Sequence, residues 1–149
     1  MAQIYPQWWN QTITIFNKHT DPLTDMIAWY KHTVTGAFWK YTGEKVTIGK
    51  TVLETNTIIC RIRKDDAFME NYKWIELPAD VKPDYFTISK GDIIVKGEVN
   101  DEVNEYVAGE RSSDLIKKYK SLQGCMVVSE YTINIGGGRY TEHYLVKGE

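Results

Sequence analysis

Alternation of β-branched or aromatic residues with polar ones, at a period of two, dominates this sequence and restricts it to strands that bury one face. Thr12-Ile13-Thr14-Ile15-Phe16 is the first such run, and it stops at Asn17 ahead of the turn residues Thr20-Asp21-Pro22. Residues 26–34 are extended in character, and Ala37-Phe38-Trp39 resumes that character beyond a break at Gly36. Residues 58–63 set Ile58, Cys60 and Ile62 on one face and Arg61 and Arg63 on the other. Tyr85-Phe86-Thr87-Ile88 reads as another strand leading to a turn at Gly91-Asp92. Residues 93–99 follow, with Ile93, Val95 and Val99 on one side. A last hairpin pairs residues 125–135 with 140–146 across Gly136-Gly137-Gly138.

One helix is legible. Ser112 or Ser113 can cap it, Asp114 sits in the first turn, and Leu115, Ile116, Tyr119 and Leu122 recur at helical spacing before Gly124. Lys117, Lys118 and Lys120 are placed toward water, and the helix is expected to lie across an opening of the sheet. Two stretches lack a sustained period. Residues 41–56 are rich in threonine, glycine and lysine and fit a polar hairpin around Gly49; residues 64–84 mix Asp65, Asp66, Pro78 and Pro83 with Phe68, Tyr72 and Trp74. The expected fold is mainly β, α+β at the margin: a small β-barrel or sandwich with one short helix. It forms one domain over residues 1–149, with an N-terminal extension (1–11) and long loops at about 41–56 and 64–84.

Composition narrows function by exclusion. The 149 residues are 42% hydrophobic and 26% charged, an ordinary globular mixture, and no run approaches the ~20 apolar residues of a membrane-spanning helix. Residues 1–10 show no basic segment followed by an apolar run, so no secretory leader is expected. Eighteen basic against 20 acidic side chains, a net charge of -2, argue against gripping nucleic acid through bulk charge. Cys60 and Cys125 stand alone in apolar surroundings and read as small core hydrophobes, which suits a reducing cytosol.

No reactive constellation emerges, so no catalytic, cofactor or metal residues are assigned and the chain is not expected to be an enzyme. His19, His32 and His143 are scattered, with no metal-ligand spacing and no nucleophile elbow, and His143 reads as a hydrogen-bonded strand residue. Gly136-Gly137-Gly138-Arg139 lacks the lysine and hydroxyl of a phosphate-binding loop, and reads as a hairpin tip. Asp65-Asp66 and Asp101-Glu102 read as solvated loop charges. Five tryptophans and ten tyrosines are the surplus. Trp8-Trp9 precede the first strand, Trp29-Tyr30 are consecutive so that one faces outward in a strand, and Tyr72 and Trp74 lie in the irregular stretch. Such rings either anchor protein contacts or fold back over the domain's own core. The candidate contact residues are Trp8, Trp9, Tyr72, Trp74, Gly136, Gly137, Gly138 and Arg139.

Three stretches carry a resemblance: residues 12–18 (TITIFNK), residues 85–99 (YFTISKGDIIVKGEV) and residues 143–148 (HYLVKG), with a lysine-rich helix and a strand between the last two. In this order and spacing they resemble a family of small structural proteins of tailed phages and prophages of Gram-positive bacteria. The resemblance implies a head-closure or head–tail connector subunit, made in the host cytoplasm and resident in the virion neck. It implies a homo-oligomeric ring, commonly of six or twelve copies. A portal or adaptor protein would lie on the head side and a tail terminator or tail tube protein on the tail side, with DNA only as passing cargo and no membrane. The alternatives are a tail terminator or tail-completion protein and, further off, a monomeric binding module or small enzyme.

Overall fold

The computed structural model describes residues 5–120, 124–134 and 142–149. Six strands, β1 (Gln11–Thr20), β2 (Ile27–Ile48), β3 (Thr51–Arg63), β4 (Ile93–Lys96), β5 (Cys125–Asn134) and β6 (His143–Gly148), close into a barrel in the order β1-β2-β3-β6-β5-β4. Every neighbouring pair is antiparallel. A four-residue helix, α1 (Asn71–Trp74), and a 3₁₀ turn at Lys82–Asp84 interrupt the stretch between β3 and β4, and α2 (Ser112–Lys120) precedes β5. The mainly β barrel with one substantial helix is the expected fold.

The alternation in the sequence sorts residues between two apolar layers. Ile13 and Ile15 of β1, Ile94 of β4, Met126 and Val128 of β5, and Tyr144 and Val146 of β6 fill the barrel interior. Phe16, Ile93, Val95 and Cys125 point outward instead, where Leu115 of α2 covers them. Strand β4 is therefore apolar on both faces, as a run of Ile93-Ile94-Val95 permits for a strand buried on each side. Full burial of one such side chain is worth about 1.5–3 kcal/mol. Cys60 and Cys125 are buried free thiols, and burial pushes both thiols up, Cys125 to about 11.

Strand β2 differs from expectation. It runs unbroken for 22 residues, passing through Gly36 with φ 73°. Up to Ala37 it pairs with β1, and from Phe38 it pairs with β3, so Gly36 is where the strand changes partners. Arg63 holds the bend: its Nε donates to the Gly36 carbonyl at 2.9 Å and its Nη2 to the Trp9 carbonyl at 2.7 Å. Residues 41–56, expected among the loops with a hairpin reading, form a two-stranded ribbon. Strand β6 stops pairing with β3 at Ile58, but the β2–β3 ladder continues from Thr42↔Thr57 to Ile48↔Thr51. The ribbon thus carries seven further residues per strand beyond the barrel, roughly 20 Å over six steps of about 3.3 Å.

Residues 85–88, expected as a strand, make one isolated bridge, Phe68↔Phe86. They belong to a segment that lines the inner face. Phe68 stacks on Tyr144 at 4.1 Å and meets Phe86 edge-on at 5.6 Å. Trp74 is fully buried between His19 and Tyr30, and Lys82 lies over the faces of Trp74 and Tyr30 at 5.4 and 5.8 Å. The Lys82 ammonium donates to the carbonyls of Ile75 and Leu77, so this buried cation closes residues 75–82 on themselves. Burial lowers its pKa.

Candidate interaction surface

Among the described residues, two stretches of β2 have a margin that no further strand pairs: the β2–β3 ribbon and residues 27–35 at the other end. The ribbon's turn, Ile48-Gly49-Lys50-Thr51, places Gly49 at φ 63°, a conformation glycine adopts without strain. Ile48 and Val52 are each 62 % exposed, and Gly49, Lys50 and Thr51 are exposed as well. A two-stranded ribbon alone is marginal in water, and this one is anchored by its continuity with the barrel strands β2 and β3.

At the opposite end of β2, residues 27–35 pair with β1 alone, and no strand among the described residues pairs with the other margin. A cavity of about 440 Å³ wraps around that margin. His19, Asp21, Trp29, Tyr30 and Tyr106 are among the residues that line it. Trp29 is held by its Nε1 donating to Glu105 Oε1 at 2.9 Å, and Tyr106 by its hydroxyl accepting from the Ile27 amide at 2.8 Å. Glu105 also accepts from the Ser112 amide at 3.1 Å, and these donors hold its pKa below the ordinary value against the opposing effect of burial.

The end of β1 beside this cavity is fixed from within by a buried polar knot. Asn17 Nδ2 donates to the Thr87 carbonyl at 2.7 Å and to Asp92 Oδ2 at 2.9 Å, and Asn17 Oδ1 accepts from the Thr87 amide. Asp92 also accepts from the amides of Lys18 and Ser89 at 3.0 and 2.9 Å. Even with those donors, desolvation dominates and raises the Asp92 pKa to about 6. The knot joins β1 to the residue 87–92 turn and, through the Asp92 carbonyl accepting from the Val128 amide, to β5.

The expected contact residues divide. Trp8 (66 % exposed) and Tyr72 are on the surface. Trp9 and Trp74 are corrected: both are buried in the chain's own packing, Trp9 against Tyr5, Phe38 and His143, so neither ring is open to a partner. Gly136, Gly137, Gly138 and Arg139 lie outside the described residues. His143, read as a hydrogen-bonded strand residue, has Arg61 Nη1 at 2.9 Å from its Nε2.

Asp101 and Glu102 are not merely solvated charges. Asp101 accepts from Lys118 at 2.8 Å and Tyr119 at 2.5 Å, and Glu102 pairs with Lys31 at 2.9 Å, so both fasten the 98–111 segment to α2 and β2. Tyr106 escaped the sequence reading because its segment has no period. Trp29 was legible only as one of two adjacent rings that had to face opposite ways. Among the described residues, no group of three or more histidine, cysteine, aspartate or glutamate side chains could hold a metal ion.

The sequence pattern of a family of unknown function, DUF6751, matches residues 8–149. The chain belongs to this family. The match takes in every strand of the barrel, the ribbon and the cavity, so these are parts of the DUF6751 domain and not additions to it. No curated protein and no solved structure matches the chain. No helix among the described residues is long and apolar enough to cross a membrane.

Proposed function

We propose that this DUF6751 protein is a structural subunit of a tailed-phage neck, most specifically a head-closure subunit in a ring between the portal complex and the tail. The observation that carries the reading is the β2–β3 ribbon, which extends beyond a closed barrel and exposes Ile48 and Val52. Among the described residues, barrel closure pairs β1, β3, β4, β5 and β6 with neighbours and leaves one β2 margin open, so the ribbon is not needed to close the sheet. An extension of roughly 20 Å adds area that a second molecule can bury, and a head-to-tail contact of that kind closes into a ring when its rotation permits. The near-neutral charge fits a ring through which DNA passes, because each phosphate neutralised by lysine or arginine adds salt-dependent affinity that a ring multiplies.

The resemblance of residues 12–18, 85–99 and 143–148 to small phage structural proteins supplies the virion setting, and the portal and tail proteins are the partners proposed with it. The test is quantitative mass spectrometry of purified particles from cells that carry the gene. The expected result is this chain at a fixed multiple of six copies per portal ring. A particle lacking the chain would overturn the proposal, and a particle with the chain on the tail side of the closure ring would make it a tail terminator.

A further inference from the structure

The ribbon tip and the β2-margin cavity lie at opposite ends of one strand. Tyr30 in the cavity and Ile48 at the tip are separated by roughly 60 Å of contour at about 3.3 Å per residue, paired with β1 and then with β3 throughout. A chain cannot bring its own tip into its own cavity without undoing these ladders. The two features match each other chemically. The tip offers an exposed isoleucine and the ammonium of Lys50 on a tight turn. The cavity, at about 440 Å³, is within the size range of ligand pockets and offers aromatic walls with a carboxylate.

Charge decides the direction. Asp21 uses its Oδ1 to accept from the amides of Leu23 and Thr24, but among the described residues no ammonium or guanidinium lies within ion-pair distance of it. The neighbouring segment from Glu98 to Glu110 carries Glu98, Asp101, Glu102, Glu105 and Glu110 and no basic residue. Among the described residues, Asp101 and Glu102 are ion-paired, with Lys118 and Lys31, and Lys18 lies close enough for its charge to act on Glu105. Tyr106, 55 % exposed, presents a ring at the rim, where a cation over an aromatic face is favoured, and exposed Met26 adds an adaptable apolar edge.

We infer that the ribbon tip of one copy of this chain seats in the β2-margin cavity of the next, with Ile48 against the aromatic wall and the Lys50 ammonium between Tyr106 and Asp21. The contact is head-to-tail, the kind that generates a ring when its rotation closes. It rests on the ring reading above and names the contact that would build the ring.

The test is a charge exchange at two exposed positions, Lys50→Glu on the tip and Met26→Lys at the cavity mouth, read by sedimentation velocity of the full chain over a concentration series. Neither substitution touches the barrel core, and unchanged thermal unfolding confirms the fold. Each single variant is expected to weaken self-association by about tenfold or more, through repulsion from Asp21 in the first case and from Lys50 in the second. The double variant is expected to recover most of that loss. Association indifferent to both substitutions, no recovery in the double variant, or a monomer at every concentration up to millimolar would each overturn the inference. Those results leave the neck proposal standing if the chain is still found in particles. Recovery in the double variant together with absence from particles would remove the neck proposal alone.

Discussion

The guanidinium of Arg63 donates to the carbonyl of Gly36 at the residue where β2 leaves β1 and takes up β3. A β-carbon built on Gly36 would stand 2.7 Å from Arg63 Nε, closer than real contacts, and the φ of 73° is itself unfavourable to other residues. The Gly36→Ala variant is expected to lose about 1–3 kcal/mol of stability, from strain plus displacement of Arg63. Arg63→Ala should cost a similar amount by leaving the Gly36 and Trp9 carbonyls unpaired. Urea unfolding measures both, and a Gly36→Ala variant as stable as the parent would contradict this view of the bend.

Asp92 makes stability depend on pH in a direction opposite to that of most carboxylates. Its pKa is raised from 3.8 to about 6 in the folded chain, so between those values the folded state holds a proton that the unfolded state has released. Stability from this group is therefore greatest at low pH and falls as pH rises through about 4 to 6, by about 2–3 kcal/mol in all. Asp92→Asn removes the titrating group and turns an amide toward the donors Asn17 Nδ2 and Ser89 N. It should lower stability at every pH and make the fall between pH 5 and pH 7 smaller than in the parent. Denaturation curves at the two pH values decide, and parallel losses in parent and variant would exclude Asp92 as the source.

The adjacent tryptophans should behave as opposites. Trp9 is packed by Tyr5, Phe38 and His143, and Trp9→Ala is expected to cost about 3–5 kcal/mol. Trp8 is 66 % exposed, and Trp8→Ala should shift the melting temperature little while reducing incorporation into particles. Calorimetry of the two variants and counting of the chain in particles test the pair. Equal loss of stability from both would place Trp8 in the core.

Lys82 is expected to hold residues 75–84 onto the barrel. Replacing it with methionine keeps the apolar contact with Trp74 and Tyr30 but leaves the carbonyls of Ile75 and Leu77 without their donor. About 1–3 kcal/mol of local stability should be lost, visible as faster amide exchange in residues 71–84 with the barrel strands unaffected. Exchange accelerated equally in β1 would mean that this segment opens only with the whole domain.

Where side chains alternate between water and core, the sequence was readable. Ile13 and Ile15 mark β1 by residue type, since Thr14 and Phe16 between and beside them are buried as well, whereas Ile58, Cys60 and Ile62 mark β3 because that face alone is fully buried. The spacing of α2 was readable for the same reason, since Leu115, Ile116 and Tyr119 meet one apolar surface, but the helix already includes Ser112 and it is Asp114 that accepts from the Arg111 amide ahead of it. The pattern misleads where a third layer intervenes. Phe86 and Ile88 alternate like a strand, yet they line the core as an irregular segment with one bridge.

The ribbon read only weakly as a hairpin because its described residues from Thr47 to Val52 are exposed, and without burial there is no apolar period to detect. Trp9, Trp74 and Tyr106 depended on which distant residues they would meet. Trp74 finds His19 and Tyr30, more than 40 residues away, and no local spacing records that. The cavity at the β2 margin is built from residues 19–30 and 103–106, so it exists only once both segments have closed on β2.

The most direct measurement is a cryo-EM reconstruction of the neck in particles carrying this chain. The expected result is a ring of barrels between portal and tail, each with its β2–β3 ribbon laid on the adjacent subunit. A neck whose rings are fully accounted for by other chains, with no density for this barrel, would contradict the proposed function outright.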